Sequence, residues 1–238
     1  MKLDGENFSI IVIPDTQYVS KSHPDRLNVM TQWIVDNAAS LNVKMVMHVG
    51  DVVDDGANNE VQWQTHKAAF DRIDEAGIPR IFAIGNHDYD NLLEKDRSSE
   101  KFNQYCGLDR YRDKPWFGGT FEQGKTENMY ATLDIGSHKF LFLTLEFGPR
   151  DAVIYWANDV LDKHADRDAI VLTHSYLFPE GERTKPGNIH NPKDYPGTGR
   201  ANDGEDLWQK CVKKHANIVG VFSGHHVPGN VSYRSDLG

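Results

Sequence analysis

Apolar runs that stop abruptly at glycine or at small polar residues recur along this chain. Residues 8–13, rich in β-branched side chains, are cut off by Pro14 and read as a buried strand that leaves through Asp15, Thr16 and Gln17. Residues 27–41 carry Met30, Ile34 and Leu41, flanked by Trp33 and Ala38, at helical spacing. A second strand, 44–49, ends at Gly50 and Asp51, with Asp54 and Asp55 close behind. The helical pattern returns over 61–76 through Trp63, Phe70 and Ile73 and stops at Gly77, a common helix terminator. A third strand, 80–84, exits into Gly85, Asn86, His87 and Asp88. Strands alternating with helices of this length predict βαβ units and a parallel sheet.

Beyond residue 90 the alternation loosens. A polar and aromatic stretch, 91–124, predicts one short helix near 98–105, and the runs 129–135 and 139–145, separated by Gly136-Ser137-His138, predict a hairpin. An amphipathic helix over 151–164 and a strand over 169–173 follow, the strand exiting at His174. Residues 175–204 hold much of the Pro and Gly without periodicity and read as a long loop, of the kind usually reserved for function. A helix over 206–215 and a strand over 217–223 lead to Gly224, His225 and His226, with one more short strand expected at 231–234.

Composition narrows the picture. The 238 residues, 39% apolar and 26% charged, suit one soluble globular domain spanning 1–238 and not a disordered chain. There is no run of eighteen apolar residues to span a membrane and no apolar leader after Met1, although a secreted or periplasmic origin stays open if a signal was trimmed. A net charge of −9 argues against a large nucleic-acid surface. Cys106 and Cys211 form neither a CxxC nor a zinc-finger spacing and leave the redox compartment undecided. Ending soon after residue 234 is awkward for a layered fold and suggests that a C-terminal piece is missing. Neither a P-loop, a dinucleotide fingerprint nor a GxSxG elbow is present.

The chemistry concentrates at the strand exits. Asp15 and Gln17, Asp51, Asn86 and His87, His174, and His225 with His226 each follow a β-like run, and a parallel-rich sheet brings such exits to one edge. Carboxylate, amide oxygen and imidazole without thiolate suit manganese, iron or zinc better than an all-oxygen metal. Two such ions sharing a carboxylate are a usual device for cleaving phosphoesters.

In order, Asp15-x-Gln17, Gly50-Asp51-x-x-Asp54, Gly85-Asn86-His87-Asp88, His174 and Gly224-His225 resemble the five signature blocks of the calcineurin-like metallophosphoesterases. The stretches Pro14 to Tyr18, Glu146-Phe147-Gly148-Pro149-Arg150 and Asn202-Asp203-Gly204-Glu205 look like a bacterial branch of that family. The resemblance implies an α/β fold, a four-layer α/β/β/α sandwich of two mixed sheets flanked by helices, with a dimetal site at the strand carboxyl ends. It implies a metal-dependent phosphoesterase acting on a small or macromolecular monoester or diester through a metal-bound hydroxide. Carried over, Asp51 bridges two divalent ions, Asp15 and Gln17 serve the first, and Asn86, His174 and His225 serve the second. His87 becomes the general acid, with Asp88 orienting it and Asn86 helping to stabilise charge. Two positions depart from the pattern: Gln17 stands where most members have histidine, and Val227 where the last block has a second histidine. A shifted His226 could replace that ligand. The alternative function is a metal-binding scaffold of the same fold with weak or no catalysis.

Other residues have blander readings beside functional ones. His48 fits a satisfied core histidine, and Asp54 and Asp55 fit loop-shaping and capping roles. Arg150 could meet a substrate phosphate or form an ordinary salt bridge. His190 and Arg200, in the long loop, could reach the site. The aromatics from Tyr105 to Phe121 could line a groove or form a satellite core.

Overall fold

The computed structural model describes residues 7–93, 95–226 and 231–236. Strand β1 (Ser9–Ile13) is followed by helices α1 (Gln17–Ser22) and α2 (Pro24–Asn37). Strand β2 (Val43–His48), helix α3 (Glu60–Glu75) and strand β3 (Arg80–Phe82) complete a three-stranded sheet in the order β1-β2-β3. Both pairings are parallel, so among the described strands only the second sheet is mixed. That sheet comprises β4 (Phe117–Thr120), β5 (Met129–Ile135), β6 (His138–Leu145), β7 (Asp168–Thr173) and β8 (Ile218–Phe222), in sequence order. The pairs β4–β5 and β5–β6 are antiparallel, whereas β6–β7 and β7–β8 are parallel. Helices α4 (Glu100–Cys106), α5 (Asp151–Lys163) and α6 (Gly204–Lys210) complete the regular elements.

Side-chain alternation along the strands sorts the core into three layers. Met45 and Met47 of β2 point inward, against Met129 and Ala131 of β5, Phe140 and Phe142 of β6, and Ile170 and Leu172 of β7. Val43 and Val46 point the other way, to Leu27 and Ile34 of α2 and Phe70 and Ile73 of α3. On the far side, Leu141, Leu143 and Val171 meet Val153, Ala157 and Leu161 of α5 and Leu207 of α6. The result is the α/β/β/α sandwich. Parallel register sets its functional edge: Ile13 pairs with His48 and His48 with Phe82, while Leu145 pairs with Thr173 and Leu172 with Phe222. The exits of β1, β2, β3, β7 and β8 therefore open at the same end.

The structure departs from the sequence pattern at several elements. Strand β3 stops at Phe82 and not at residue 84, and the helix expected over 206–215 ends at Lys210, with a 3-10 turn, Val212–Lys214, after it. Residues 231–234 form no strand. Helix α1 was hidden because it occupies the strand exit itself. Strand β4 was hidden because Gly118-Gly119 reads as a turn; in fact a Cβ on Gly118 would fall inside the Tyr130 ring that covers it. No described helix is long and apolar enough to cross a membrane. Cys106 and Cys211 are both buried and unpaired.

Candidate metal centre

Three loops leaving the first sheet are tied to one another before any ligand is considered. His48 is fully buried, and its Nδ1 accepts the Gly50 amide (3.2 Å), so Nε2 carries the proton. That Nε2–H donates to Thr16 Oγ1 (3.0 Å), whose hydroxyl passes its own proton to the Val52 carbonyl (3.0 Å). Burial holds the His48 pKa down at about 3, as this neutral relay requires. His48 is thus the satisfied core histidine expected, and with Thr16 it fixes the β1 exit against the β2 exit. Asp88 does comparable work at the β3 exit. Its carboxylate accepts the amides of Val52 (2.8 Å), Val53 (3.1 Å) and Gly85 (2.8 Å). Burial, followed by the neighbouring Asp51 charge, raises its pKa to about 7. Asp88 makes no hydrogen bond to His87, so the orienting role expected for it is corrected. The Asp54 carbonyl takes that role, 2.7 Å from His87 Nδ1.

Asp51 stands at the centre with φ of 52°, a conformation seldom adopted outside glycine, directly after Gly50 at φ 103°. Its Oδ1 accepts the His87 amide (3.0 Å) and its Oδ2 accepts Gln17 Nε2 (3.0 Å), while His174 Nε2 approaches Oδ2 to 3.1 Å. Asp15 Oδ2 accepts the His225 amide (2.9 Å), and His225 itself sits at φ 75°. Donor atoms of Asp51, His174 and His225 lie within 4.8 Å of one another.

Both imidazoles are pinned through the nitrogen that faces away from a ligand. His174 Nδ1 donates to the Val49 carbonyl (2.8 Å), turning Nε2 to the Asp51 carboxylate; His225 Nε2 donates to the His190 carbonyl (2.8 Å), leaving Nδ1 bare. Carbonyl-anchored histidines of this kind are the usual second layer of a metal site. The unsatisfied atoms agree. Buried side-chain oxygens without a hydrogen-bond partner include Asp15 Oδ1, Gln17 Oε1 and Asn86 Oδ1, all in the expected ligand set, and His174 Nε2 has only the Asp51 carboxylate beside it. Buried polar atoms rarely go unpaired, and together these four present the oxygen and nitrogen donors that divalent ions take. The residues present therefore fit a metal pair.

The electrostatics add a proton. Burial alone would depress the His174 pKa, but the Asp51 and Asp15 carboxylates outweigh it and hold it at about 9. For Asp51, burial raises the pKa, yet His174 brings it to about 2. Burial pushes Asp15 upward and His225 well downward. Metal-free protein at neutral pH accordingly carries a proton on His174 that an incoming ion must displace. The apparent metal affinity should rise about tenfold per pH unit from pH 6 and flatten near 9, one proton being released per ion bound at His174. Stability of the metal-free chain moves oppositely. The folded pKa lies above the ordinary 6.5, so this contribution is complete below 6.5 and is lost as pH rises through about 9. Calorimetric titration with manganese at several pH values reads the first effect; an affinity independent of pH from 6 to 8 would remove His174 from the ligand set.

Other expected residues land elsewhere. His226 Nε2 meets Ser175 Oγ at 3.2 Å, and its ring packs on Phe178 and on His225 (4.7 Å between centroids), beside the compact donor group without joining it; Val227 lies outside the described residues. His190 contributes its carbonyl, from a backbone at φ 58°. Arg150 forms ion pairs with Glu146 (2.7 Å) and Glu122 (2.9 Å). Arg200 is exposed in an adjoining recess with Arg150. Asp54 accepts Lys21 (2.7 Å) and Asp55 Oδ1 accepts the Asn58 amide (3.0 Å), while the cap of α3 is Asn59. Of the aromatics, Tyr111 and Trp116 join the core between the sheets and Tyr105 that beneath the helices. Two rings were missed. Phe147, at the exit of β6, packs 4.9 Å from His225 and 5.7 Å from His174 between ring centroids, and Tyr195 packs 5.0 Å from Phe147. The strand-exit rule, applied to β6 as to the others, would have found Phe147.

Comparison with known proteins agrees with this geometry. The sequence model described as calcineurin-like phosphoesterase matches residues 8–236. The uncharacterised protein YvnB of Bacillus subtilis (strain 168) is 33% identical over 219 residues, 92% of this chain but 15% of its own length. A probable cyclic nucleotide phosphodiesterase of Moraxella catarrhalis (strain BBH18) is 22% identical over 193 residues, 81% of this chain and 61% of its own length. The chain thus spans only part of either relative. Among solved structures, a dimetal phosphatase from Danio rerio superposes with a TM-score of 0.61 at 13% identity, covering 92% of this chain and 81% of that one, a likeness of fold.

Proposed function

The chain belongs to the calcineurin-like phosphoesterase family, and from that premise we propose that this centre hydrolyses a phosphomonoester or phosphodiester with two divalent ions, manganese, iron or zinc. The observation that carries the reading is the set of buried oxygens without partners, Asp15 Oδ1, Gln17 Oε1 and Asn86 Oδ1, together with the close donor group of Asp51, His174 and His225. Asp51 would be shared by both ions, Asp15 and Gln17 completing one side and Asn86, His174 and His225 the other. Such ions, when bound, polarise phosphoryl oxygens and supply a nucleophile at neutral pH.

The chain's own residues do the rest. The His87 amide and Gln17 Nε2 each hold one oxygen of Asp51, so the carboxylate plane is set before ligand arrives. Because Asp54 O is an acceptor only, His87 Nδ1 carries a proton in either charge state, and Nε2 is the nitrogen that exchanges one. Half-buried at the edge of the centre, His87 in its protonated form donates from Nε2 to the departing ester oxygen, work to which imidazole is well suited at neutral pH.

His87→Ala should lower hydrolysis of a generic phosphoester in the presence of manganese by roughly 10²–10⁴-fold while the metal count per chain is unchanged. An unaltered rate would remove His87 from the chemistry. The scaffold alternative draws on the Asp15 side, where Gln17 offers an amide oxygen in place of imidazole. One ion per chain and no turnover of either ester class by the unaltered protein would decide for it.

A further inference from the structure

Residues 146–150 and 202–205, distant in sequence, are fastened together beside the metal centre at a place the mechanism does not use. The Asn202 amide and its side-chain nitrogen both donate to the Pro149 carbonyl (3.1 and 2.7 Å), and Arg150 and Ala201 form an isolated antiparallel bridge. Arg97 closes the assembly by donating to the carbonyls of Phe147 (2.7 Å), Gly148 (2.6 Å) and Thr198 (3.0 Å). Its guanidinium is thereby spent on holding the long loop against the β6 exit. Beside these staples lies an open surface recess of about 540 Å³, lined by Arg97, Arg150, Asp151 and residues 197–200. That is the size of a small-molecule site.

The recess has donors to spare. Arg150 uses Nε and Nη2 on Glu146 and Glu122, which leaves Nη1 without a partner. Arg200 is exposed and forms no ion pair among the described residues, and the amides of Gly199 and Arg200 donate to no described acceptor. The wall's one carboxylate, Asp151, is already covered by Lys210 (2.8 Å) and Asn202 (3.0 Å). With Glu146 and Glu122 balancing Arg150, the unpaired donors of this wall among the described residues are Arg150 Nη1, the Arg200 guanidinium and the two loop amides. Arginine and backbone N–H together are the usual recognition set for phosphate and carboxylate.

The recess also adjoins the chemistry. Phe147, three residues before Arg150, packs on His174 and His225, and Tyr195 packs on Phe147 two residues before the wall begins at Gly197. Consecutive Cα atoms are about 3.8 Å apart, so that wall starts within roughly 8 Å of Tyr195.

We propose that this recess binds a second anionic group of the substrate, making the preferred substrate a phosphoester that carries another phosphate or carboxylate. The assignment to substrate rests on the phosphoesterase reading above; the existence of an anion site does not. Binding is tested with inorganic phosphate titrated into the full chain carrying Asp51→Asn, where the metal centre is disabled, with and without Arg200→Gln. A phosphate site that survives Asp51→Asn and weakens about tenfold on adding Arg200→Gln supports the proposal. No phosphate binding in the Asp51→Asn chain, or binding unmoved by both Arg200→Gln and the charge-reversing Arg200→Glu, overturns it.

The source of the anion is read from selectivity in the metal-loaded protein. The ratio of kcat/KM for a bisphosphate over the matched monophosphate of the same diol should fall about tenfold in Arg200→Gln, through KM, and further in Arg200→Glu. An unmoved ratio with the phosphate site intact overturns the assignment to substrate and makes the recess a site for a free anion. Absence of turnover of either ester would instead count against the phosphoesterase reading, leaving the binding result as it stands.

Discussion

Asp51→Asn is expected to abolish the metal pair and to cut phosphoester turnover by on the order of 10³-fold, the scale of removing a group that acts on transition-state charge. Asparagine tolerates the φ of 52° found there, so the backbone has no reason to move. The loss is chemical. Asp51 accepts on both oxygens, from His87 N and Gln17 Nε2, and an amide must turn an NH₂ toward one of these donors. It also removes the charge that does most to hold His174 at about 9, so the histidine loses its proton at lower pH while the anion that would share two ions is gone.

Metal-free stability should fall as well, because buried His174 loses the carboxylate that holds its pKa up, and relief of the repulsion felt by Asp15 and Asp88 offsets only part of that loss. Thermal melts with and without manganese separate the two effects. At neutral pH the variant should melt below the unaltered metal-free protein and gain nothing from the ion. A manganese-induced rise in Tm equal to that of the unaltered chain would refute the bridging role.

The parallel strands and the candidate residues at their exits were legible for one physical reason. Strands buried on both faces are written as apolar runs, and in a parallel arrangement the residue that ends each run is delivered to a common edge. That rule picked out Asp15, Asp51, Asn86, His174 and His225; donor atoms of Asp51, His174 and His225 lie within 4.8 Å of one another and Asp15 holds the His225 amide, while their service as ligands is the proposal made above. What hid from it depended on partners distant in sequence. Nothing local to Asp88 reveals that its carboxylate accepts the amides of residues 52, 53 and 85, contacts different from the His87 partnership that the family resemblance implied. The roles of Asp54 O and His190 O are equally invisible, since a carbonyl is common to every residue and only the fold selects which one faces an imidazole. Arg97 lay in a stretch without periodicity, and its function is to fasten two loops that fold separately.

Gly85→Ala should be nearly as damaging to the centre as loss of Asp51, although it removes no functional atom. Gly85 has φ of −95°, which any residue adopts, so its need for glycine is one of space alone. A Cβ there would fall onto the Asp51 carboxylate and the Asp51 amide, both backed by the buried Gly50 turn, and neither is the far end of a flexible side chain. Gly224 stands in the same relation to the Asp15 carboxylate. Overpacking of this kind costs about 1–3 kcal/mol of stability, and the larger consequence is geometric, because the displaced carboxylate no longer faces its partners. Metal affinity is expected to drop by more than the roughly 10–100-fold typical of disturbing a residue behind a ligand, since the ligand itself is moved. Gly77→Ala supplies the control. Its φ of 71° makes alanine unfavourable by about 1 kcal/mol, but no atom lies within 4 Å of the new Cβ, so stability should fall while manganese binding is retained. If Gly85→Ala binds two ions as tightly as the unaltered chain, the close approach of the β3 exit to Asp51 is not what shapes the centre.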